Sequence, residues 1–149
     1  MDHDLKNFNL IRQQSLISLG DVVVDVGACH GAYTSFFSSL LGNTGKIYCV
    51  ELFPPTFQML EMRFGHSNNI EFVNAAISDT VGKEDLYAGN TNEEHNIVGH
   101  DMSHEPVAKV GEINSTTLDE LLKNEKEISL IKIDVEGAEL KVLHGMKEI

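Results

Sequence analysis

Five polar side chains stand where apolar runs stop. Asp25 lies in Val22-Val23-Val24-Asp25-Val26, Glu51 follows Ile47-Tyr48-Cys49-Val50, Asn74 follows Ile70-Glu71-Phe72-Val73, and Asp134 and Glu136 follow Leu130-Ile131-Lys132-Ile133. In a parallel sheet such strand ends open at one edge, which is where α/β folds bind ligands. The first run leads into Gly27-Ala28-Cys29-His30-Gly31, so an acid and two glycines stand in Asp-x-Gly-x-x-x-Gly spacing. Gly27 permits a turn that a Cβ would obstruct. Gly31 opens a helical segment whose N-terminus favours a negative group. A glycine-rich strand-to-helix turn of this kind cradles a nucleotide-type cofactor. Glu51 lies about twenty-five residues past Asp25, the place of a second-strand acid that accepts hydrogen bonds from ribose hydroxyls. A pyrophosphate fingerprint needs Gly-x-Gly-x-x-Gly; the middle glycine is absent here, and no such fingerprint occurs elsewhere in the chain. The turn therefore suits a cofactor without a pyrophosphate.

The elements that must hold these residues follow from pattern. Val22, Val23, Val24 and Val26 show neither a helical nor an alternating period, as in a strand buried on both faces. Ala32 to Leu41 fits a helix packed on a sheet through Phe36, Phe37, Leu40 and Leu41. Lys46 to Leu52 is a second strand, and Pro54-Pro55 starts the next helix, which carries Phe57, Leu60, Met62 and Phe64. Ile70 to Ile77 is a third strand. Lys83 to Tyr87 and Ala108 to Asn114 are short strands around a polar, non-periodic stretch, residues 89–106, which reads as a long loop. Thr117-Leu118-Asp119-Glu120 is a capping box for a helix over Leu118 to Asn124. Ser129 to Val135 is an apolar strand, and Ala138 to Met146 a helix with Leu140, Val142 and Leu143 available to pack. At the N-terminus, Leu5 to Leu19 is helical, with Leu5, Phe8, Ile11 and Leu16 on one stripe. Alternating strands and helices imply a parallel sheet with helices on both faces.

With 149 residues the chain is expected to form a single domain, residues 1–149, with a real core. No apolar run is long enough to cross a bilayer, so no membrane partner is expected. The N-terminal Met1-Asp2-His3-Asp4 lacks a signal-peptide layout. Cys29 and Cys49 have neither metal nor disulfide-framework spacing, which suits a reducing cytosol and a cytoplasmic location. The formal charge is −12, and nucleic acid needs cationic surface, so none is expected as a partner. His95, His100 and His104 match no standard metal motif; they read as solvated loop histidines, and no metal is expected.

Asp25-Val26-Gly27-Ala28 with Gly31 is similar to motif I of the class I S-adenosylmethionine-dependent methyltransferases. More specifically, the chain resembles an FkbM-type methyltransferase. Further residues carrying the likeness are Asn74-Ala75-Ala76-Ile77-Ser78-Asp79 with Gly82, Thr116-Thr117-Leu118-Asp119, and Ile131-Lys132-Ile133-Asp134-Val135-Glu136-Gly137-Ala138-Glu139 with Leu143 and Gly145. The resemblance implies S-adenosyl-L-methionine as cofactor. Gly27, Ala28, Cys29 and Gly31 would pass close to its methionine part, with Asp25 near the amino group. Glu51 would hold the ribose, Leu52 would line the adenine, and Asn74 and Ala75 would meet the adenine edge. Asp134 would face the methionine end and the substrate. Cys29 stands where the family often has Asn. The implied reaction is methyl transfer to a hydroxyl oxygen of a small molecule or carbohydrate. An alcohol needs somewhere to send its proton, and the catalytic expectation falls on Asp134 and Glu136. For Glu136 a helix-capping role is the competing reading.

Class I methyltransferases have the strand order 3-2-1-4-5-7-6, and this chain supplies 3-2-1-4. The expected fold is thus α/β, a Rossmann-like doubly wound, mostly parallel sheet, truncated at the C-terminal side. Strand Ser129–Val135 would then be an edge with Leu130, Ile131 and Ile133 poorly covered, open to pairing in a homo-oligomer. Two other function classes fit the same residues: a non-catalytic S-adenosylmethionine-binding module in a larger assembly, and a nucleotide-dependent oxidoreductase.

Overall fold

The computed structural model describes residues 2–88, 95–99 and 107–149. In chain order the elements are α1 (Asp2–Gln13), β1 (Val22–Val26), α2 (Ala32–Leu41), β2 (Lys46–Val50), α3 (Pro54–Phe64), β3 (Ile70–Val73), β4 (Ala76–Ile77), β5 (Gly82–Ala88), β6 (Ala108–Thr116), α4 (Leu118–Leu122), β7 (Leu130–Ile133) and α5 (Glu139–His144). β3, β2, β1 and β7 form one parallel sheet in that order, which is the expected 3-2-1-4 arrangement. The fold is α/β and Rossmann-like.

β1 sits at the centre because its valines serve both faces. Val24 and Val26 pack with Leu118, Leu122 and Val142 on one side. Val23 packs with Phe37, Leu41 and Ile47 on the other. Alternation along a strand places Asp25 on the second side, beneath α2. β7 ends the sheet, and all four of its residues are only half-buried, as expected of an edge strand.

Three expectations need correction. The third strand does not run from Ile70 to Ile77. β3 stops at Val73, and β4 joins a separate sheet of order β4-β6-β5, parallel to β6, while β5 pairs antiparallel with β6. Asn74 makes the break: its Nδ2 donates to the carbonyls of Glu51 (2.8 Å) and Leu52 (3.1 Å), turning the chain away from β2. The N-terminal helix ends at Gln13, not Leu19, and Ser15 takes φ +51°. Leu5 and Leu16 are exposed, so its inward face is carried by Phe8 and Ile11. On α5 only Val142 is buried; Leu140 and Leu143 face outward.

Other local signals hold. Thr117 Oγ1 accepts the Glu120 N–H at 3.1 Å, capping α4. Of the polar stretch 89–106, residues 95–99 are described. Asn96 there pairs its backbone with Tyr87 (2.9 and 3.1 Å), and its Oδ1 accepts from the Val98 and Gly99 N–H groups. His100 and His104 lie outside the described residues. Among the described residues no helix is long and apolar enough to cross a membrane.

Candidate functional site

The turn after β1 is stitched to its neighbours on both sides. Gly27 has φ +75°, and a Cβ there would stand 1.9 Å from the Asp134 carbonyl oxygen. Only glycine permits that approach. The N–H groups of Gly27 and Ala28 both donate to the Val50 carbonyl (3.0 and 2.9 Å). The Cys29 N–H donates to Glu51 Oε2 at 2.9 Å. Three successive backbone donors are thus spent on β2 and the residue after it. A phosphate cradle needs such donors unspent and aimed at the ligand, so the geometry agrees with the missing dinucleotide fingerprint.

Asp25 lies beneath this turn, with no exposed surface. The Thr34 hydroxyl donates to its Oδ2 at 2.7 Å. Its Oδ1 lies 3.3 Å from Lys132 Nζ, an ion pair without hydrogen-bond alignment. Lys132 comes from β7, directly opposite Asp25 in the ladder. Its ammonium donates to the carbonyls of Gly27 (2.6 Å) and Val26 (3.4 Å). It also stands 3.7 Å from Asp134 Oδ2 and 5.3 Å from the centre of the Tyr33 ring.

Glu51 is buried yet turned toward the turn. Besides Cys29, the Phe53 N–H donates to its Oε1 at 2.8 Å. Burial pushes its carboxyl above the usual range, while the Phe53 and Cys29 donors and the Lys132 charge pull it back. Asn74 braces the backbone behind it through the two carbonyl contacts described above.

These groups surround one open cleft of about 280 Å³, at the small end of ligand sites. Of the residues expected from sequence, Gly27, Ala28, Cys29, Glu51, Leu52, Asp134 and Glu136 line it. Asp25 does not: its carboxylate faces Thr34 and Lys132 rather than the opening. Gly31 has φ +78° and turns its Cα toward Leu60 and Phe64. Asn74 and Ala75 stand behind the wall, Ala75 buried. Glu136 takes φ +52° in the turn before α5. In the same turn Glu139 Oε1 accepts the Val135 and Gly137 N–H groups (3.2 and 3.3 Å).

Six further lining residues carry polar side chains: Asp4, His30, Tyr33, Thr56, His95 and Lys132. Lys132 had a signal, a charge inside an otherwise apolar strand. Asp4 had none, because α1 is brought to the cleft by long-range contacts with α2: Phe8 packs on Tyr33 and Phe36 (4.8 and 4.2 Å between centroids), and Asn7 Nδ2 donates to the Tyr33 hydroxyl at 2.8 Å. His95 is not the solvated loop residue expected from sequence: it is buried and stacks on Phe53, 3.5 Å between ring centres. Among the described residues no group of three metal-ligating side chains occurs. Asp4, Glu51, Asp134 and Glu136 set four carboxylates around the cleft. Lys132 is the only lysine or arginine among its described lining residues. Such a site favours a ligand of net positive charge.

The sequence profile described as "Methyltransferase FkbM domain" matches residues 25–149. No curated protein matches the chain. Among solved structures, the FkbM methyltransferase from Methylobacillus flagellatus KT is similar over 87% of this chain at 17% identity and a TM-score of 0.59. The match covers 29% of that protein, so this chain spans under a third of its length. Aeropyrum pernix fibrillarin, solved with natively bound S-adenosyl-L-methionine, matches 40% of this chain and 26% of its own at 27% identity and a TM-score of 0.38.

Proposed function

The chain belongs to the FkbM methyltransferase domain family, and from that premise we propose that it binds S-adenosylmethionine in the cleft and directs methylation of a hydroxyl oxygen on a small molecule or sugar. The observation that carries this reading is Glu51. Its buried carboxylate has each oxygen fixed by one backbone N–H, Cys29 and Phe53. Each carboxylate oxygen has a second lone pair to offer, which suits a ribose diol. The surrounding carboxylates suit the rest of the ligand, whose sulfonium and ammonium outweigh its carboxylate.

When bound, the cofactor supplies an electrophilic methyl carbon on its sulfonium, so the protein's work is mainly alignment. Asp134 and Glu136 are the pair from which the general base for the acceptor hydroxyl is drawn. Asp134 is well exposed on the cleft, with 68% of its side chain accessible. The Lys132 ammonium stands 3.7 Å from its Oδ2. Glu51 anchors one end of the cofactor while the Gly27 turn allows its other end close to the backbone.

The test is calorimetric titration of S-adenosylmethionine into the wild-type protein and Glu51→Ala. Heat of binding is expected from the wild type and a loss of about tenfold or more in affinity from the variant. No binding to the wild type sinks the cofactor assignment; equal binding to both sinks the role of Glu51. Methyl transfer from labelled cofactor to a panel of sugars and alcohols then tests the acceptor class, and Asp134→Asn should lower kcat.

A further inference from the structure

We propose that Lys132 is the residue that recognises the α-carboxylate of the cofactor's amino-acid end. The inference rests on the cofactor reading above and adds to it a group that the motif-based expectations did not use. Three observations carry it. The N–H groups of Gly27, Ala28 and Cys29 are already donated to Val50 and Glu51, so an anionic ligand group finds no donor in that part of the turn. The other charged groups on the cleft are the carboxylates of Asp4, Glu51, Asp134 and Glu136, which repel it. Lys132 alone brings positive charge from a lysine or arginine among the described lining residues.

The ammonium is also held ready. Its contacts with the carbonyls of Gly27 (2.6 Å) and Val26 (3.4 Å) occupy two of its three N–H donors. Buried Asp25, 3.3 Å away, fixes it from below. A lysine restrained in this way loses little side-chain freedom on binding, which favours affinity. Asp134 Oδ2, 3.7 Å from the ammonium, sets a negative group beside the positive one. An amino-acid zwitterion presents the complementary pair. The motif I acid then acts on the ligand through Lys132, as a positioning residue, rather than by direct contact.

A lysine that merely neutralised Asp25 would support the fold without reading the ligand. The two roles separate when the ligand is trimmed instead of the protein. The probes are S-adenosylhomocysteine and its decarboxylated analogue, which keeps the amine, titrated calorimetrically into the wild type, Lys132→Gln and Lys132→Arg. The wild type should prefer the carboxylate-bearing ligand by roughly 10- to 100-fold. Lys132→Gln should shrink the preference to within about threefold, chiefly by weakening S-adenosylhomocysteine. Lys132→Arg, which keeps the charge, should retain most of it. Equal affinity of the wild type for both ligands overturns the inference while leaving the cofactor assignment standing, and needs no variant to fold. Equal loss of both ligands in Lys132→Gln also overturns it, because that marks a structural role. Failure of the wild type to bind either ligand removes the cofactor reading and this inference together.

Discussion

Gly27→Ala tests whether the β1 turn is fixed by contact with β7 or only by its own backbone. Two costs are separable. The first is conformational: alanine at φ +75° costs roughly 1–2 kcal/mol in the left-handed region. The second is steric. The new Cβ would lie 1.9 Å from the Asp134 carbonyl oxygen, so that oxygen must retreat by about 1.1 Å to reach even the 3.0 Å floor of Cβ contacts. Retreat is resisted, because the Asp134 N–H donates to the Val26 carbonyl at 3.1 Å. Relieving overpacking of this kind costs roughly 1–3 kcal/mol, for a total near 2–5 kcal/mol. Two glycines serve as controls. Gly20 has φ +91° but nothing within 4 Å of its Cβ position, so Gly20→Ala carries the conformational cost alone. Gly111 has open space and no positive φ, so Gly111→Ala should be neutral or stabilise by a few tenths of a kcal/mol. Urea unfolding reads all three. With a slope of about 2 kcal/mol per molar, Gly27→Ala should lower the midpoint by roughly 1–2.5 M and Gly20→Ala by roughly 0.5–1 M. The reasoning fails if Gly27→Ala loses no more stability than Gly20→Ala.

Three further outcomes follow from individual polar groups. Thr34→Val removes the 2.7 Å donor to buried Asp25 at nearly constant volume; it should cost roughly 1.5–3 kcal/mol in urea unfolding, with Thr34→Ser recovering most, and a loss within error would refute the contact. Burial pushes the Cys49 thiol up to about 12, so mildly alkaline iodoacetamide should label the more exposed Cys29 first, read by peptide mass spectrometry; prior labelling of Cys49 would contradict this. Glu51 and Asp119 should give stability opposite dependences on pH. Burial raises the Glu51 pKa, so the folded state holds that proton more tightly, and its contribution falls as pH rises above the ordinary carboxylate range. The Lys147 and Glu148 N–H groups hold Asp119 down, so its contribution is present above the unfolded pKa and lost as pH falls through the folded one. Melting temperature against pH, in wild type, Glu51→Ala and Asp119→Asn, checks both signs.

Strands and helices defined by their own residues were legible in the sequence. The run Val22–Val26 and the segment Ala32–Leu41 carry their period within themselves, and both appear with the expected bounds. Elements ended by distant partners were not. Nothing between Val73 and Ile77 says that the strand breaks. The break comes from Asn74 reaching carbonyls twenty-two and twenty-three residues away, and a local window cannot see them. The N-terminal stripe failed in a related way. Leu5 keeps helical spacing with Phe8 and Ile11 but remains outside the core, because aromatic packing of Phe8 on Tyr33 and Phe36 fixes how α1 is seated; Leu16 lies beyond the end of α1 at Gln13.

For the site, convergence was legible and direction was not. Polar residues at the ends of neighbouring parallel strands must meet at one edge, so Asp25, Glu51 and Asp134 could be brought together on topology alone. Topology does not say whether a carboxylate at that edge faces a ligand or the protein beneath it. That is decided by what else needs a partner. Lys132, one residue from the end of an apolar edge strand, has no stable place in the core without a counter-charge. Asp25, directly opposite it in the ladder, supplies one. The acid that reads from sequence as the ligand's partner is therefore committed to the lysine. The lysine, which reads as a misplaced charge in a strand, is left presenting to the cleft. The same logic fixes the turn: with its Gly27, Ala28 and Cys29 donors on Val50 and Glu51, discrimination between anionic and cationic ends of a ligand passes from the backbone to the side chains of Lys132 and Asp134.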